Sequence, residues 1–120
     1  MADNQMGSAD EPVRIEIMFK EYGSFIKVYI PNITNGGLFI RTDNPLPIEA
    51  PVRLRMRLPE ETKDIEIDGR VVWSFARGNK KAFLPKGMGI QFLNMRPEDA
   101  EKIKKIADRF RNEIERSSIL

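Results

Sequence analysis

Three positions in the stretch Asn32-Ile33-Thr34-Asn35-Gly36-Gly37-Leu38-Phe39-Ile40 carry groups that a small polar ligand needs. They are an amide at Asn32, a hydroxyl at Thr34, and at Gly37 a backbone that another group can approach closely. Two other patterns could hold an anion. Arg53, Arg55 and Arg57 alternate along one run, and Arg77, Lys80 and Lys81 flank Gly78. The first would be a stripe of guanidinium groups and the second a backbone nest. Catalysis has less to work with, because the 120 residues include no His and no Cys. There is then no imidazole base, no thiolate nucleophile and no zinc site of the common ligand types. The sequence predicts no enzyme, no catalytic residue, no metal and no cofactor.

Composition narrows the partners. Apolar residues at 41% and charged residues of both signs at 32% give the balance of a globular domain, and the length is that of one domain. A formal net charge of +2 creates no strong field for nucleic acid. Only two Tyr are present, with no basic-aromatic interleaving on one strand, so nucleic acid is not an expected partner. No apolar run approaches the ~20 residues of a bilayer span, and Met1 to Pro12 has neither the basic nor the apolar segment of a signal peptide. The expectation is a cytoplasmic protein without membrane insertion.

The elements that must position these residues read mainly as strands. Residues 1–11 are small and polar, a flexible lead-in. Val13, Ile15, Ile17 and Phe19 alternate with Arg14, Glu16, Met18 and Lys20 as in a half-buried strand. Glu21 to Ser24 reads as a turn, Phe25 to Ile30 as a second strand stopped by Pro31, and Leu38 to Arg41 as a third. Asn35-Gly36 suits the positive φ of a tight turn between the last two. A proline-broken loop, Asp43 to Pro51, leads into a hairpin. The second strand of that hairpin runs on through Arg70 to Phe75, with Val71, Trp73 and Phe75 on one side. Lys86 to Leu93 is a further strand whose two glycines signal a bulge or a close backbone approach.

The hairpin fixes its own register. Val52, Leu54, Met56 and Leu58 alternate with the three arginines, Ile65 and Ile67 alternate with Asp64, Glu66 and Asp68, and Pro59 to Thr62 makes the loop. If Leu58 faces Lys63, then Arg57 faces Asp64, Arg55 faces Glu66 and Arg53 faces Asp68. The same register sets Met56 against Ile65 and Leu54 against Ile67 on the buried side. The arginine stripe is thereby expected to be a cross-strand charge ladder, not a phosphate site. After the last strand, Pro97 opens a helix with Glu98, Asp99 and Glu101 near its positive end. Ala100, Ile103, Ile106, Ala107, Phe110 and Ile114 form its apolar stripe, expected to cover the β-structure from Ala100 to Phe110; beyond it, Ile114, Ile119 and Leu120 either continue on the β-structure or reach a partner chain. The expected domain is a β-barrel over residues 12–95 with a C-terminal helix over 96–120 packed on it.

The run NITNGGLFIRTDNPLPIEAPVRLRMRLP, an acidic strand leading into GRVVWSF, and KGMGIQFLNMRPEDAEKI together resemble the PilZ domain family, in particular its short single-domain type, over Val13 to Ile106. The resemblance implies a six- or seven-stranded antiparallel β-barrel with a C-terminal α-helix. It also implies a [Asp/Asn]-x-Ser-x-x-Gly turn that holds a guanine of cyclic di-GMP, here Asn32, Thr34 and Gly37, with Thr in place of Ser. The family's Arg-x-x-x-Arg segment, which binds the phosphates, falls on Met6 to Pro12, where there is no arginine and where Asp10 and Glu11 are acidic. Losing such charge-assisted contacts costs ~1.5–3 kcal/mol each. The implied function is a bacterial signalling adaptor acting through protein-protein contacts with another signalling or motility protein, its cyclic di-GMP binding weak or lost. The alternative is a working cyclic di-GMP receptor controlling motility or surface behaviour, with Arg14, Arg41 or a partner chain supplying the anion contacts.

Overall fold

The computed structural model describes residues 11–77, 80–81 and 85–117. The expected lead-in therefore lies almost wholly outside the described residues, and Gly78 of the basic connection Arg77 to Lys81, Ile119 and Leu120 also lie outside them. The elements are β1 (Val13–Met18), α1 (Tyr22–Val28), β2 (Tyr29–Ile30), β3 (Gly37–Arg41), β4 (Pro51–Arg57), β5 (Ile65–Phe75), β6 (Gly87–Asn94), α2 (Pro97–Arg109) and α3 (Arg111–Ser117). The strands form one six-stranded sheet in the order β1-β4-β5-β6-β3-β2.

The β4–β5 hairpin has the register its two patterns require. Arg53 faces Asp68, Leu54 faces Ile67, Arg55 faces Glu66 and Met56 faces Ile65. Leu54, Met56, Ile65 and Ile67 are buried on one face. On the other, Arg53 bonds Glu66 at 2.9 Å and also reaches Asp68, Arg55 lies 3.3 Å from Asp64 and 3.5 Å from Glu66, and Arg57 bonds Asp64 at 2.9 Å. The ladder satisfies its own charges.

Three expectations are corrected. The sheet is not wholly antiparallel and not closed: β1 runs parallel to β4, and β1 and β2 stand at opposite ends of the strand order. No hairpin joins β1 to β4, so no turn imposes an antiparallel direction on that pair. The segment read as a turn and second strand is mostly the helix α1, leaving only Tyr29 and Ile30 as strand. Phe25 and Ile26 are buried from that helix, and Phe25 meets Phe19 edge-on at 5.3 Å. A seven-residue helix without a side-chain cap is held by such packing rather than by propensity. Finally, Val71, Trp73 and Phe75 do not share a side. A register shift between Val71 and Trp73 leaves Val71 in the main core and turns Trp73 and Phe75 to the opposite face, where they pack with Ile30, Phe39 and Ile33.

The C-terminal helix is interrupted at Phe110, whose backbone leaves the helical region at φ −110° and ψ 29°. Its ring meets Tyr22 of α1 at 5.3 Å, and Arg109 lies over both rings. Ile103 and Ile114 are buried in the main core, and Ile106, Ala107 and Phe110 pack against it. Lys102 bonds Glu61 at 3.0 Å, tying α2 to the β4–β5 loop.

Candidate functional site

The turn between β2 and β3 is built by backbone geometry. Asn35 and Gly36 take φ of 67° and 80°, and the Gly36 N–H donates to the Ile33 carbonyl at 2.7 Å. The turn is then clamped to β6. The Phe92 N–H donates to the Gly36 carbonyl at 2.9 Å, and Gln91 Nε2 donates to the Thr34 carbonyl at 3.1 Å. Gly37 pairs with Ile30 on one side and Gln91 on the other, and a Cβ there would stand 2.3 Å from the Ile90 carbonyl oxygen. Space, not φ, demands glycine at that position. The Asn32 side chain is exposed and Thr34 lies at the surface of the same turn.

The cation nearest this turn through the bonding network was not among the expected site residues. Arg70 Nε donates to Gln91 Oε1 at 3.1 Å, so one amide side chain links Arg70 to the Thr34 carbonyl. Arg70 Nη1 also lies 3.5 Å from Glu49. The hairpin register, extended to Pro51 opposite Arg70, is the signal that places this residue on the wet face. Arg41 lies on the strand of Gly37 but four residues on, about 13 Å along it. Arg14 lies on β1, four strand spacings from β3, about 19 Å across the sheet. Neither arginine stands at the turn.

Two surfaces flank the turn. On the outer face of the sheet, Trp73 and Phe75 stack at 6.5 Å, and Trp73 covers Gly89, where a Cβ would stand 2.7 Å from the indole ring. On the helix side, a groove of about 450 Å³ runs between Asn35 and α2, lined by Tyr29, Leu93, Met95, Ala100, Lys104 and Asp108 among others. Burial, and then the charge of Asp108, raise the Tyr29 hydroxyl above its ordinary pKa.

The PilZ domain family profile matches residues 10–109. The chain belongs to the PilZ domain family. Comparison with curated proteins gives no match. Membership ties this PilZ domain to cyclic di-GMP-related signalling, and PilZ domains are binding and adaptor domains rather than enzymes. Among the described residues no cluster of His, Cys, Asp and Glu could hold a metal ion, and no helix is long and apolar enough to cross a membrane.

Proposed function

We propose that this PilZ domain is a cytoplasmic signalling adaptor that acts through contacts with another bacterial signalling or motility protein, and that its own cyclic di-GMP binding is weak or lost. The observation that carries this reading is the state of the cations around the turn. Met6 to Pro12 offers no arginine, and Arg70 is engaged by Gln91 and Glu49. Phosphate recognition depends on guanidinium geometry, and among the described residues no other arginine is bonded into the turn. The groove between Asn35 and α2 joins the turn and the C-terminal helix into one surface on which a partner can rest.

A second reading, a working receptor, is favoured by one arrangement: the Trp73–Phe75 stack and Arg70 both lie on the face that the turn borders. Calorimetric titration with cyclic di-GMP at moderate salt separates the two. Saturation at low micromolar ligand, abolished by Arg70→Ala, supports the receptor. Absence of heat there, with a partner whose recovery is lost on Lys104→Glu in the groove, supports the adaptor.

A further inference from the structure

The outer edge of β1 carries a pattern that fits a second copy of itself. The Phe19 N–H donates to the Arg57 carbonyl, so the odd-numbered residues of β1 direct their backbone groups to β4. Arg14, Glu16 and Met18 then direct theirs away from the sheet, at the end of the strand order. Among the described residues no backbone hydrogen bond reaches that edge. Val13 and Met18 are also among the exposed large apolar residues, at 44% and 62%.

We propose that two copies of this chain pair antiparallel along β1, about a two-fold axis at Ile15, joining their sheets into one. Only residues whose backbone points outward can bond across the axis, which leaves few registers. Centring on Glu16 would oppose two glutamates, and centring on Arg14 would oppose two arginines. Centring on Ile17 would set Arg14 against Lys20. Centring on Ile15 instead sets Arg14 against the second copy's Glu16, and Glu16 against its Arg14. It also sets Val13 against Ile17 on the core side, extending the apolar face. Arg14 has reason to seek an acid: its neighbour on β4 is Arg53, Glu66 feels its charge but is bonded to Arg53, and Arg14 makes no ion pair among the described residues. Glu16 can answer, since its one ion pair among the described residues, to Arg55, is long at 3.8 Å and the side chain is 74% exposed. Pro12 closes the pairing, because it has no N–H to give. The contact is short, so the dimer is expected at high micromolar rather than nanomolar concentration.

Sedimentation equilibrium on the full chain tests this. Wild type should shift from monomer to dimer as concentration rises through the high micromolar range, while Arg14→Glu and Glu16→Arg should each stay monomeric. Mixing the two variants in equal amounts should restore the dimer, because opposite charges then meet at both positions. Glu16→Pro, which removes one outward N–H and leaves the β1–β4 bonds intact, should also be monomeric, with circular dichroism confirming the fold. A wild type that is monomeric throughout overturns the proposal. So does a dimer that the variants retain, or a mixture of the two charge variants that stays monomeric.

Discussion

Gly37→Ala tests whether the glycine of the turn serves the fold or a ligand. Its added Cβ would stand 2.3 Å from the Ile90 carbonyl oxygen, whereas real Cβ atoms essentially never come within 3.0 Å of a neighbour. Strand β3 or β6 must therefore move by about 0.7 Å, although Gly37 is paired with both β2 and β6 and has backbone on either side. Overpacking of this kind costs about 1–3 kcal/mol. For a domain near 100 residues each kcal/mol lowers the melting temperature by about 4–8 °C. Urea unfolding followed by Trp73 fluorescence measures the loss directly. Asn32→Ala and Thr34→Ala, at surface positions of the turn, should stay within about 0.5 kcal/mol of wild type. If Gly37→Ala is as stable as those two, the steric account of the glycine is wrong.

Ile103→Ala, at a residue 3% exposed under α2, should cost about 2–5 kcal/mol in the same unfolding assay. The charge ladder gives a pH dependence. The hydrogen bond from Arg53 holds the Glu66 and Asp68 carboxyls below their ordinary range, Asn94 adding to the effect on Asp68. Groups depressed in the folded state contribute stability above their unfolded pKa, at about 4, and lose it as pH falls through the lower folded value. Arg53→Met should flatten that part of the acid melting curve by lowering stability slightly at neutral pH and leaving it unchanged at low pH, where both carboxyls are protonated; the change is small because exposed pairs contribute little.

Much of this molecule is legible where two local patterns agree. In the hairpin, alternating Leu54, Met56, Ile65 and Ile67 and alternating opposite charges choose one register, and the strands pair in that register. The Asn35-Gly36 turn and the stripe on α2 are legible because backbone freedom and a 3.6-residue period are local properties. Phe25 to Ile30 misleads because a short apolar run fits a strand or a buried helix equally well. The candidate site is only half visible: Asn32, Thr34 and Gly37 can be named, but Arg70 joins them through Gln91, 57 residues from Thr34.

The sequence by itself determined the register of the β4–β5 hairpin, its dry face from Leu54 to Ile67, and that residues 1–12 carry no arginine. Tertiary structure alone decided that β1 lies parallel to β4, that α1 is a helix, and that the shift at Val71 and Trp73 turns two aromatic rings to the outer face. Those outcomes depend on which distant surfaces have room for a side chain, and no local period records that.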